Sequence, residues 1–309
     1  MLHVDYHLDK AHLLDVILVV LHPKVADPPD PTPQSAATQM PVDFNNYGGL
    51  DFKHELILAK NDEIRKCGKT LFKYWKNVDE SMKSNFETDC LQDLLHHSIF
   101  GVHEMNVKIC ILFESFVEQK KFKAVDTLLC QLLEPIIWRG LKAINGEVRY
   151  NAVCLFLIVF PMRNNLKKVA ENEELLIRQT NMFEPLITDE VPLIRTTSIL
   201  GVCKIFQTFW PVIPVTVFKQ IFSIFVKTLA VDSSSMDVRS AVFKGFAIVA
   251  ENSASHSVLA KILPLVKLSI HDVAEKVRLS FVKMLLKLKK LNAVKRSGTT
   301  MAERYDLMS

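Results

Sequence analysis

A valine or isoleucine followed by a basic residue recurs along this chain at a nearly constant spacing: Val107-Lys108, Val148-Arg149, Ile194-Arg195, Val238-Arg239 and Val277-Arg278. The basic residues stand 41, 46, 44 and 39 residues apart. Counted from each of them, positions +4 and +8 are apolar in every copy: Leu112 and Phe116, Val153 and Leu157, Ile199 and Cys203, Phe243 and Ala247, Val282 and Leu286. Spacing by four keeps side chains on one helical face. A second amphipathic stretch precedes each copy, so the repeating unit is a helix pair. A lone pair cannot bury its apolar face, and successive pairs must therefore stack and share a core.

A period of about 40–47 residues is that of HEAT and armadillo units, so the expected fold is all-α, a HEAT-repeat α-solenoid of stacked antiparallel helix pairs. Local signals agree. Asp272 followed by Glu275 has the spacing of a capping box, and Asp189 stands ready to cap ahead of Pro192. Pro135 and Pro264, each fourteen residues before an arginine of the series, are expected to kink the preceding helices. Glycine is scarce, 9 of 309 residues, which disfavours the Gly-rich phosphate loops of α/β enzymes.

Residues 1–60 read differently from the rest: a short apolar helix around Leu13 to Leu21, then a proline-rich stretch from Pro23 to Pro41 that is expected to be a flexible linker. Residues 61–296 form the expected array of about five helix pairs, and 297–309 a disordered tail. The six cysteines lie twenty or more residues apart, with no CxxC pair, and are expected to be reduced thiols in the core. The N-terminus has no basic segment leading into an apolar one, which predicts an intracellular protein. No apolar run approaches the roughly 18 residues of a membrane span.

Several stretches resemble the G-type HEAT subunits of condensin II. These are EPIIWRGLKAINGEVRYNAVCLFLIVFPMRN (Glu134 to Asn164), VPLIRTTSILGVCKI (Val191 to Ile205), SSSMDVRSAVFK (Ser233 to Lys244) and LPLVKLSIHDVAEKVRLSFVKMLLKLK (Leu263 to Lys289), with a weaker match over LFKYWKNVDESMKSNFETDCLQDLL. The resemblance runs from about Leu71 to Leu291, in order. It implies a non-catalytic scaffold that binds the kleisin subunit and, through it, the SMC ATPase pair, working on chromosomes in the nucleus during mitotic condensation, with duplex DNA as a further partner. Members of that family are several times longer, so the chain is expected to be a fragment or shortened form.

Between Lys261 and Arg296 the chain carries a net charge of +8. Lys276, Lys283, Lys287 and Lys290 fall on one helical face, extended by Lys295 and Arg296, and such a stripe could hold phosphates. The simpler reading is a solvated face whose opposite side, with Val277, Phe281, Leu285 and Leu288, packs inward. Trp138 and Arg139 are residue types that dominate interface hot spots, although a tryptophan at helical spacing is more often core. The repeated arginines Arg149, Arg195, Arg239 and Arg278 are expected to link adjacent repeats through ion pairs, with Glu147, Asp189 and Asp237 nearby. His96, His97, His103 and Glu104 cluster without HExxH spacing, and no cysteine or second properly spaced histidine completes four ligands, so no metal is expected. No catalytic signature, cofactor motif or small-molecule substrate is expected. An importin-like adaptor or a phosphatase-regulatory array is the alternative class, and the former would need an acidic groove where this chain is basic.

Overall fold

The computed structural model of the protein describes residues 56–306, with side chains described as far as Leu291; the expected first helix and the proline-rich stretch lie outside the described residues. Every regular element among the described residues is helical. In chain order these are α1 (Asn61–Asn77), α2 (Glu80–Asn85), a π-helical segment (Phe86–Gln92) leading into α3 (Asp93–Phe100), α4 (His103–Val117), α5 (Lys123–Gly140) and α6 (Gly146–Val159). Then follow α7 (Val169–Asn181), α8 (Phe183–Ile187), α9 (Pro192–Phe209), α10 (Val215–Lys227), α11 (Met236–Val249), α12 (His256–Ile262) and α13 (Glu275–Asp306). Short 3₁₀ segments cover Trp210–Val212, Leu229–Val231 and Ser253–Ser255, and a longer one covers Leu263–His271. The fold class is all-α, built of helix pairs stacked as in an α-solenoid. Helix α13 continues to Asp306, through most of the stretch read from sequence as a tail.

The sequence period now has a structural meaning. Arg149, Arg195, Arg239 and Arg278 are each the fourth residue of a helix: α6, α9, α11 and α13. The starts of these helices explain the register. Pro192 opens α9 at the position where its missing N–H costs nothing. Ser235 caps α11, its hydroxyl accepting the N–H groups of Asp237 and Val238. Lys108 breaks the pattern: it is the sixth residue of α4, and the fourth is Asn106. Pro135 lies inside α5, which remains one helix from Lys123 to Gly140. At Pro264 the winding changes from α to 3₁₀, because proline supplies no N–H and crowds the carbonyl four residues back.

The chain divides into two compact units, one of residues 1–155 with 162–168 and the other of 156–161 with 169–309, so that α6 contributes to both. In the first, α1 packs on α4, burying Ile64, Cys67 and Leu71 with Leu112, Phe113 and Phe116. The two helices approach so closely at Gly68 that a Cβ there would stand 2.1 Å from the backbone oxygen of Leu112. Residues 162–168 are held to α5 by Lys167, which pairs with Glu134 at 2.7 Å, and by Asn165, whose N–H donates to Thr127 at 3.1 Å.

In the second unit α9 packs on α11 and α11 on α13. Its core is a run of touching phenylalanine rings, from Phe160 and Phe183 through Phe206, Phe222 and Phe246 to Phe243 and Phe281. The edge-to-face geometry of Phe243 and Phe281, 5.2 Å between centroids, is the arrangement that aromatic quadrupoles favour. Gly245 lets α11 come close to α9, since a Cβ there would meet Cys203 Sγ at 2.6 Å. Cys67, Cys90, Cys130 and Cys203 are buried, and burial raises their thiol pKa, to about 12 at Cys67 and about 11 at Cys130.

An exposed helical Gly→Ala change normally stabilises a protein by about 1 kcal/mol. At Gly68 the sign reverses: Gly68→Ala is expected to lower unfolding free energy by about 1–3 kcal/mol through overpacking against α4. Chemical denaturation of the variant measures this, and a stabilised variant would contradict the close contact of α1 with α4.

Candidate functional site

The arginines of the series perform a shared task in the turns between helices. Each donates from Nη1 to carbonyls of its own preceding turn. Arg149 reaches Ala143 and Ile144 at 2.9 and 2.8 Å, Arg195 reaches Asp189 and Glu190 at 2.7 and 3.0 Å, and Arg278 reaches Asp272 and Val273 at 2.7 and 3.0 Å. Arg239 reaches Asp232 at 2.7 Å. These are carbonyls that the entry to a helix leaves without a backbone donor.

In Arg195 and Arg239 a further part of the guanidinium reaches forward to the next repeat. Arg195 Nη2 lies 3.1 Å from Asp232, and Arg239 grips Asp272 with Nε and Nη2 at 2.7 and 3.0 Å. A bidentate fork of this kind suits arginine and would not suit lysine. Both aspartates also organise the turns they stand in. Asp232 accepts the N–H groups of Ser234 and Ser235, each at 2.9 Å, and Asp272 accepts the N–H of Ala274 at 2.8 Å. The Asp272–Glu275 pair is therefore not a capping box; Asp272 closes its own turn and holds Arg239.

The acids expected beside the arginines occupy other posts. Glu147 accepts the N–H of His103 at 3.2 Å, Asp189 accepts the N–H of Val191 at 2.9 Å, and Asp237 pairs with Lys276. In the first unit a pair of asparagines works in a comparable way. Asn106 donates to Ser98 O at 3.0 Å and to Asn151 O at 3.1 Å, while Asn151 donates to Gly101 O at 3.0 Å. Both are fully buried. Sequence reading missed them, because an asparagine inside a helical period carries no signal until the register is known; the helix start at His103, five residues before Lys108, would have supplied it.

The basic stripe on α13 is partly neutralised. Lys276 is paired with Asp237 and Lys287 with Glu251, which Gln207 also holds. Lys283 and Lys290 are exposed and form no ion pair among the described residues. Lys295 and Arg296 lie outside the described side chains. The inward face of α13 is Val277, Phe281 and Met284, positions i, i+4 and i+7, whereas Leu285, expected to be inward, is 37% exposed and Leu286 is 61% exposed.

Trp138 is buried in α5, and only Arg139 of that pair reaches the surface, 6.0 Å above the Phe100 ring. The histidines are separately engaged. His96 lies against Phe100, His97 Nδ1 is 2.9 Å from Asp93 O, and His103 Nδ1 is 3.0 Å from Asn151 Oδ1. No group of three or more His, Cys, Asp or Glu among the described residues could hold a metal ion.

Stacked helix pairs whose turns are tied by arginines, on the sequence period seen above, make this an all-α helical-repeat protein. Comparison with known proteins narrows the class. Residues 37–164 match the family described as condensin II non structural maintenance of chromosomes subunit. The chain is 36% identical over 256 residues to condensin-2 complex subunit G2 of Mus musculus, 40% over 249 residues to that of Xenopus laevis and 38% over 230 residues to that of Homo sapiens. Those alignments cover 82%, 79% and 72% of this chain and 22%, 21% and 20% of the relatives. The chain belongs to the condensin II non-SMC subunit family, and it spans about a fifth of the length of the curated relatives it matches.

The ion pairs set a pH dependence. The hydrogen bond from Arg239 holds the Asp272 carboxyl below its ordinary 3.8, against the opposing effect of burial. A carboxylate depressed in this way contributes stability above pH 3.8 that is lost as pH falls through the folded-state value. Asp272→Asn is expected to cost about 1–3 kcal/mol at neutral pH, since it leaves Arg239 without its charge partner. Its penalty should shrink as the parent protein is acidified below that range. Urea titrations of both proteins across pH test this; a penalty independent of pH would contradict it.

Proposed function

We propose that this chain is a non-catalytic scaffold segment of the condensin II complex, which it joins by holding the kleisin subunit and, through it, the SMC ATPase pair. The observation that carries the proposal is the similarity to condensin-2 complex subunit G2 over some four-fifths of the chain. The architecture supports it. Stacked helix pairs present long, continuous surfaces to extended partners, and the helix-start arginines are engaged in holding the turns together. A nuclear, chromosome-bound location follows from the same reading, and no cofactor is required.

Duplex DNA is the second partner of the proposal. Lys283 and Lys290 are the exposed lysines of α13 that carry it, with Lys295 and Arg296 further along the same helix. Lys276 and Lys287 would first have to exchange Asp237 and Glu251 for phosphates.

Two measurements test the reading. Epitope-tagged chain purified from dividing cells is expected to bring down a kleisin and both SMC subunits in mass spectrometry, and recovery of none of them would overturn the assignment. For DNA, each phosphate contact contributes about 0.9 to the slope of log affinity against log salt. The double variant Lys283→Glu/Lys290→Glu should therefore flatten that slope by about 2, and an unchanged slope would remove α13 from the nucleic-acid surface.

A further inference from the structure

Within the second unit, a groove of about 580 Å³ runs between the end of α10 with its following 3₁₀ turn and the long 3₁₀ segment Leu263–His271. A 3₁₀ helix repeats every three residues, so side chains at i and i+3 eclipse. Leu265, Leu268 and His271 consequently stand in one row, and all three line the groove. Val226, Ala230 and Val231 form the facing wall, with Val266 buried at the base. Leu265, Leu268 and Val231 are 69%, 73% and 67% exposed, an apolar concentration that single scattered surface residues do not make.

The helical walls of this groove carry charge of one sign. The elements that form its walls, residues 215–231 and 256–271, contain Lys219, Lys227, Lys261 and Lys267 and no aspartate or glutamate. Lys227 follows Val226 directly, Lys267 lies between Val266 and Leu268, and both lysines are exposed. Two acids reach the groove, Asp232 and Asp272. Each is already neutralised, by Arg195 and Arg239 respectively. What remains is an apolar trough whose wall elements carry exposed lysines with no ion pair among the described residues, and complementary charge is what selects and steers a partner to such a surface.

We propose that this groove is a docking site for a short acidic segment of a partner protein carrying leucine-like anchor residues. The anchors seat on the Leu265–Leu268 row and against Val231, and the flanking carboxylates face Lys227 and Lys267. A phosphate backbone would satisfy the lysines but leave the apolar row uncovered, so a peptide fits the groove better than nucleic acid does. The inference rests on the scaffold reading, since it assigns a surface on which a partner of the complex is held.

The test uses the full chain and a fluorescein-labelled peptide of about ten residues, roughly 33 Å when extended, rich in glutamate and carrying two leucines. Fluorescence anisotropy should show saturable binding. Replacing the glutamates by glutamine or the leucines by serine should weaken it about tenfold or more, as hot-spot truncations do. Lys267→Glu and Leu268→Ser in the protein should each have the same effect, with the unfolding midpoint unchanged because both residues are exposed. No binding, equal binding of the glutamine peptide, or full displacement of the peptide by duplex DNA would overturn the proposal. Recovery of kleisin and SMC subunits alongside a silent peptide would remove the groove and leave the scaffold reading standing. Peptide binding without that recovery would do the reverse.

Discussion

An arginine in the first turn of one helix, holding the backbone of its own turn and the aspartate of the next, is the interaction on which the second unit depends. Arg195 does this with Asp189 O, Glu190 O and Asp232, and Arg239 with Asp232 O and Asp272. Asp232 thus accepts from Arg195 through its carboxylate and from Arg239 through its carbonyl. The chain of contacts is directional, each repeat being clamped to its successor. Hydrophobic burial drives the stacking but has little preference for register; the fork of a guanidinium on a carboxylate has a strong one. The phenylalanine run from Phe160 to Phe281 supplies the apolar contact that the ion pairs hold in place.

The same geometry explains what is left open at the surface. In α11, Ser240 and Phe243, at +1 and +4 from the arginine, are covered by Ser280 and Phe281 of α13. The equivalent residues of α13 are Leu279 and Val282, 49% and 37% exposed, followed by Leu286 at +8. This is the face that α11 offers to α13. The groove beside the 3₁₀ row arises differently. Pro264 forces a tighter winding on the helix that precedes α13, and that winding lines up Leu265 and Leu268 on the outside instead of burying them.

Most of the architecture could be read from the sequence, because it is periodic. Ile199, Cys203 and Phe243 are all buried where spacing by four from an arginine placed them. Legibility failed where one residue type had two possible partners. Asp272 looked like a helix cap because Glu275 follows at the right distance, but a carboxylate that meets a guanidinium from the previous repeat forms the stronger, charge-assisted bond, and sequence does not reveal which repeat faces it. The lysines of α13 read as one free stripe, whereas Asp237 and Glu251 on the neighbouring helix start and end take two of them. Lys108 shared the sequence pattern of the arginines, yet the helix there begins earlier and Asn106 occupies the equivalent position. Turn length between helices, which a residue pattern leaves loose by one or two positions, decided the last of these.

The claim that forward-reaching arginines fix the stacking is tested most directly by a double-mutant cycle on Arg195 and Asp232, using Arg195→Ala, Asp232→Ala and the double variant in equilibrium denaturation. The account predicts that the two substitutions are coupled by about 1 kcal/mol or more, within the range seen for residues sharing one ion-pair network. Strictly additive effects would contradict it, and would leave apolar packing alone to set the register of the repeats.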